Sequence, residues 1–159
     1  MEFARKFGIF SAVRKYVISL LLLLFAGLAF SASDNFTKLP DGLHYRQIKK
    51  NIRPETRPAF KAAEKYYEKK KYFQADQSYI ETIQRGEGFY GNWGRACVAR
   101  QEKRVSDAEK FYATAFTLND SLEGFLYDYA VFLQYNSQDW NKIEKVCTKL
   151  YTVTKNDDD

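Results

Sequence analysis

Residues 59–80 read AFKAAEKYYEKKKYFQADQSYI, and residues 92–113 read NWGRACVARQEKRVSDAEKFYA. Laid one over the other, they align Ala63 with Ala96, Ala75 with Ala108 and Tyr79 with Tyr112, all at a spacing of 33. Ala130 extends the first column 34 residues further on. Phe60, Trp93 and Tyr127 keep the same two spacings, as do Tyr67, Arg100 and Gln134. A small residue at each alanine lets two helices approach closely, and an aromatic one turn later fills the space beside that contact. Self-similarity at this period is the mark of a stacked helical repeat.

Ala63, Tyr66, Tyr72, Ala75 and Tyr79, followed by Ala96, Ala108, Tyr112 and Ala115, resemble the tetratricopeptide repeat, a helix–turn–helix of about 34 residues. A Sel1-like or other helical-hairpin repeat is the neighbouring alternative. The resemblance implies an all-α, right-handed α-α superhelix of about three hairpins over residues 56–155, in units of about 56–88, 89–122 and 123–155. Trp93 stands one place later than the family's tryptophan, and no unit ends in the family's proline. In the third unit Trp140, Ile143, Cys147 and Leu150 fit only if the turn Tyr135 to Asp139 holds one extra residue.

Local signals divide the chain in the same way. Ser106 with Glu109, and Asp120 with Glu123, have capping-box spacing where a second helix and a third unit should begin. Pro58 suits the first turn of the opening helix, where its missing N–H is no loss. The chain has three prolines, and none follows Pro58. Gly86, Gly88, Gly91 and Gly94 read as a turn and a loosened helix start, since neither a Gly-Lys-Ser/Thr ending nor a preceding strand marks a phosphate loop.

The 159 residues are 45% hydrophobic and 28% charged, which suits one ordinary domain and excludes a disordered or collagen-like chain. Arg5, Lys6, Arg14 and Lys15 precede an apolar stretch from Val17 to Phe30 and then small residues, so residues 1–33 read as a secretory signal peptide cut between 29 and 33. The apolar run is shorter than the roughly 20 residues a membrane-spanning helix needs. Uncleaved anchoring is therefore the minority reading, and the protein is expected in the periplasm or outside the cell. The formal net charge is +5, but removing residues 1–31 leaves 21 basic against 19 acidic residues, which weakens a nucleic-acid reading. The balance is uneven along the chain: Lys38 to Lys71 holds 11 basic and four acidic residues, and Tyr72 to Asp159 ten and 14. Head-to-tail self-association is one expectation from that polarity. Residues 34–55 read as a basic, irregular arm and residues 156–159 as an acidic tail.

One histidine, His44, and two cysteines leave little for zinc or triad chemistry, so neither a cofactor nor catalysis is expected. Cys97 and Cys147 fall on elements that do not touch in such a stack, and are expected to remain separate thiols. Asn35 and Asn119 stand in glycosylation patterns that matter only in a eukaryotic export route. Lys69, Lys70 and Lys71 sit at the first hairpin turn, solvated or facing an acidic partner.

Tetratricopeptide proteins bind peptides with the first helix of each unit. The resemblance therefore implies a concave groove formed by Phe60, Glu64 and Tyr67, then Trp93, Cys97 and Arg100, then Tyr127, Val131 and Gln134. Phe60, Trp93 and Tyr127 would form an aromatic ladder, with Arg100 and Gln134 holding a peptide backbone or carboxylate. Burial of Phe60 and Trp93 under the arm is the competing expectation. The function expected is an exported scaffold that binds protein or peptide. The alternatives are a structural subunit of an envelope or secretion assembly that uses the ends of the stack and, more remotely, an unrecognised enzyme. Ile143, Val146, Leu150 and Val153 would leave an apolar stripe open on the last helix, through which a second copy could pair.

Overall fold

The computed structural model describes residues 48–156, and among these it contains six α-helices and no strand. They are α1 (Arg57–Glu68), α2 (Tyr72–Gln84), α3 (Gly88–Gln101), α4 (Val105–Leu118), α5 (Glu123–Asn136) and α6 (Trp140–Asn156). The chain is thus all-α over the described residues. Residues 1–33, the first part of the arm with His44 and Asn35, and residues 157–159 lie outside them. Among the described residues no helix is long and apolar enough to cross a membrane.

Three links in succession are built on one device. The Lys71 N–H donates to the Tyr66 carbonyl at 2.9 Å, closing α1, while its own carbonyl accepts from the Ala75 N–H at 2.9 Å, opening α2. Glu87 does the same between Thr82 and Gly91, and Arg104 between Ala99 and Ala108. Each is preceded by a residue in the left-handed region: Lys70 at φ 57°, Gly86 at φ 93° and Lys103 at φ 59°. These are Schellman closures in which the last residue of one motif is the N-cap of the next helix. A link of three residues between touching helices reverses the chain, so α1 to α4 run alternately up and down.

The same device explains why the expected caps are absent. Arg104 fixes the start of α4 at Val105, which leaves Ser106 inside the first turn with no capping bond. Asp120 lies two residues ahead of the Leu122 cap of α5, and its carboxylate pairs with Lys149 Nζ at 3.2 Å instead. In the third hairpin the chain leaves α5 through an extended Ser137. The extra residue expected in that turn is present but helical: α5 runs six residues past Ala130, where α1 and α3 run five past Ala63 and Ala96.

Ala63, Ala75, Ala96, Ala108, Ala115 and Ala130 are all buried, with Tyr79 and Tyr112 beside them. Helix α3 is the most enclosed, every residue from Phe89 to Ala99 being buried except Arg95. A helix with neighbours all round needs no polar face. Gly91 and Gly94 belong to its interior rather than to a loosened start. A Cβ at Gly91 would lie 2.9 Å from the Tyr79 carbonyl, and one at Gly94 would lie within 2.5 Å of the Tyr79 ring. Their lack of a side chain is what lets α2 lie against α3.

The described end of the arm is also packed rather than irregular. Ile48 and Ile52 are buried in the core. Arg53 donates from its backbone N–H (2.9 Å) and Nε (3.1 Å) to Glu87 Oε1, and from a terminal nitrogen to the Arg85 carbonyl at 3.0 Å. Its guanidinium crosses directly over Gly86, where a Cβ would be 2.0 Å away.

The last helix needs no further cap. Ile143, Val146 and Leu150 are buried, while Asn141, Lys145, Thr148, Thr152 and Lys155 face outward. This corrects the expectation of an open apolar stripe, because the stripe is covered within the hairpin and only Val153 at its end is half-buried.

Left-handed backbone costs a non-glycine residue roughly 1–2 kcal/mol, partly offset by the freedom glycine adds to the unfolded chain. Lys103→Gly should therefore raise unfolding stability by about 0.5–1 kcal/mol. Gly86→Ala should lower it by more than about 1 kcal/mol, since it meets both the φ penalty and the Arg53 guanidinium. Urea unfolding of the two variants checks both signs.

Candidate functional site

The groove residues expected from the repeat lie on α1, α3 and α5, but most of them face inward. Phe60 is buried between Tyr79 and Tyr90, with ring centroids 5.9 and 6.1 Å away. Trp93, 2% exposed, lies 5.9 Å from Phe89 and 5.5 Å from Phe125. The expectation of an open aromatic ladder is corrected here: both rings fill the space between helices, and only Tyr127 of the three is partly exposed. Glu64 is buried and accepts a hydrogen bond from the Tyr79 hydroxyl.

At the junction of the second and third hairpins the sequence reading missed the organising residue, Asp128. It is 4% exposed, and its Oδ2 accepts from Trp93 Nε1 at 2.8 Å and from the Tyr112 hydroxyl at 2.7 Å. Cys97 Sγ approaches the same oxygen at 3.8 Å. Oδ1 accepts from a terminal nitrogen of Arg100 at 2.6 Å. Arg100 therefore holds a carboxylate, as its position suggested, but the carboxylate belongs to the chain itself. The signal was available: Asp128 is the one charge in the run Phe125 to Leu133, and an aspartate among that many apolar residues requires partners.

The column Tyr67, Arg100, Gln134 remains as a strip along the first helices, graded from buried through half-buried to exposed. Tyr67 packs its ring edge on Tyr72 at 5.8 Å, and its buried hydroxyl lies beside Gln101 without a hydrogen bond of normal geometry. Val131 is half-buried next to Tyr127 on α5. The structure thus brings Trp93, Cys97 and Arg100 together around Asp128, places Glu64 and Phe60 in a separate contact with Tyr79, and leaves Tyr127, Val131 and Gln134 on the outer part of α5.

Burial pushes the Tyr79 and Tyr112 hydroxyls and the Cys97 thiol well above their ordinary values, and the neighbouring Glu64 or Asp128 carboxylate adds to each shift. Tyr67 is raised in the same way, by burial first and Cys97 next. Burial takes Tyr129 up to about 12 and the Cys147 thiol to about 11. The two cysteines are free thiols, as expected. Asn119 lies in the link before α5, its side-chain oxygen accepting from the Ser121 N–H at 2.9 Å and hydroxyl at 2.8 Å. Among the described residues no group of His, Cys, Asp or Glu is arranged to hold a metal ion.

No model of a known protein family matches the chain, and no curated protein or solved structure matches it either.

A raised pKa on a group that is neutral when protonated means that the native state holds its proton more tightly than the unfolded chain. The stability contributed is complete below the unfolded value and is lost as pH rises above it. Stability should begin to fall from about pH 8.5, where the unfolded thiols ionise, and more steeply from about pH 10, where unfolded tyrosines do. The loss should continue through about pH 12, where Tyr129 ionises in the folded protein. Urea midpoints measured from pH 8 to 11 check this, and Tyr79→Phe, which removes one shifted hydroxyl, should reduce the slope.

Proposed function

We propose that the chain is a non-catalytic helical-repeat scaffold of tetratricopeptide type. Its hairpins would wind into a right-handed superhelix, and the protein would be exported on its leader to bind a protein or peptide. The observation that carries this reading is the repeated register. Lys71 and Arg104, 33 residues apart, each close a first helix and open a second, behind a left-handed Lys70 or Lys103. Tyr79 and Tyr112 repeat at the same distance, each with its hydroxyl on a buried carboxylate. Repeats of this kind extend a surface along one direction, and such surfaces serve binding. In this reading the partner lies along the strip from Arg100 to Tyr127 and Gln134.

The burial of Trp93 favours a second reading, in which the ends of the stack make the contact and the chain is a subunit of a larger assembly. Trp140 and Tyr151, exposed on the last helix, belong to that surface. A cross-linked pull-down from the exporting compartment separates the two, with circular dichroism confirming the fold of each variant. Tyr127→Ala/Gln134→Ala is expected to weaken capture at least about thirtyfold, the loss of a hot spot of roughly 2 kcal/mol. Trp140→Ala/Tyr151→Ala should leave capture unchanged. The reverse pattern selects the end of the stack, and capture unaffected by either variant contradicts both readings.

A further inference from the structure

Charge is paired in one part of the molecule and unpaired in another. In the second and third hairpins Arg100 binds Asp128, Arg104 binds Glu102 and Asp107, Lys142 binds Glu109, and Lys149 binds Asp120, while Arg95 of α3 reaches back to Asp76 of α2. Lys61, Lys65, Lys69, Lys70, Lys71 and Lys103 are all exposed, and among the described residues none of the six makes an ion pair. Lys61 and Lys65 on α1 and Lys69 at its C-cap are four apart, a single stripe about 12 Å long at 1.5 Å per residue. Lys69 to Lys71 form the hairpin turn itself, and Lys103 holds the equivalent left-handed position in the next turn at the same end of the stack. Two aromatics stand in this basic region. Tyr66 is in the last turn of α1, 37% exposed, and Phe73 is in the first turn of α2, 73% exposed.

We propose that the tip of the first hairpin is a docking surface for an anionic lipid membrane, with Phe73 and Tyr66 entering the headgroup layer and the lysines facing lipid phosphates. Self-association through opposite charge is the weaker fit, because among the described residues Glu102, Asp107, Glu109, Asp120 and Asp128 of the later hairpins are already held by the chain's own cations. Phe73 selects lipid among anionic partners. A phenylalanine left three-quarters in water on a convex turn gains by entering an interfacial layer, while its flanking lysines keep their heads at the phosphates. An acidic segment or a nucleic-acid duplex, whose bases are already stacked, would satisfy the lysines and leave the ring where it is.

The test is residue-specific acetylation of the full chain, read by mass spectrometry, with phosphatidylcholine vesicles and with vesicles containing phosphatidylglycerol. Lys69 and Lys71 should label at least about fivefold more slowly on the anionic vesicles only, while Lys110, exposed on α4, labels at the same rate on both. Protection should fade in high salt. Phe73→Ser should remove most of it, and Lys65→Gln/Lys69→Gln should abolish protection at Lys71, since each lysine neutralised weakens vesicle affinity by about fivefold, the equivalent of about 1 kcal/mol. Equal labelling of Lys69 and Lys71 on both vesicle types would overturn the proposal. Protection by polyglutamate or a short DNA duplex, equal to that on anionic vesicles and indifferent to Phe73→Ser, would also overturn it and assign the surface to a soluble polyanion.

Discussion

The Asp128 carboxylate lies out of water where the second and third hairpins meet, and an ion in that position is tolerated only if its partners are nearly complete. It has them: an indole N–H, a phenol and a guanidinium on its two oxygens, with a thiol beside them. Trp93, Cys97 and Arg100 come from α3, Tyr112 from α4 and the carboxylate from α5, so one side chain ties three helices. The rings around it, Phe89, Phe125 and Tyr129, hold α5 at the distance that large side chains require. The α2–α3 contact works in the opposite way, through glycines that bring the backbones together. The described part of the stack thus contains one close junction and one wider junction bridged by polar groups.

That arrangement has a functional consequence. A ladder of exposed aromatics would have offered one adhesive surface along α1, α3 and α5, whereas Phe60 and Trp93 serve the interior and Arg100 is neutralised by Asp128. What the later hairpins offer a partner is narrower, namely Tyr127, Val131 and Gln134 on α5 and the outer face of α6. The first hairpin differs, because among the described residues Lys61, Lys65, Lys69, Lys70 and Lys71 form no ion pair, and Tyr66 and Phe73 are exposed to water. In the proposed reading, the two ends of the described stack meet partners of different chemistry.

Much of the architecture was legible because it depends on volume and spacing. Alanines 33 or 34 residues apart and tyrosines one turn beyond them mark where helices touch, and those positions are buried. The caps were not legible, since Ser106 and Asp120 have the right chemistry at the wrong phase. The phase is set by Lys71, Glu87 and Arg104 closing one helix and opening the next, a backbone event that any side chain can accompany. The inward direction of Phe60 and Trp93 was not legible either, because an aromatic column has the same period whether it faces a partner or a neighbouring helix. Asp128 carried a signal in its apolar surroundings, but the repeat columns drew attention to Arg100 without its carboxylate.

The most direct measurement is the unfolding free energy of Asp128→Ala against that of the double variant Asp128→Ala/Arg100→Met. Removing one member of a buried ion pair leaves the other uncompensated, so the single variant is expected to lose about 3–5 kcal/mol, and the double variant to recover part of that loss. A single variant within about 1 kcal/mol of the natural chain, or a double variant whose losses simply add, would contradict the role given to this carboxylate.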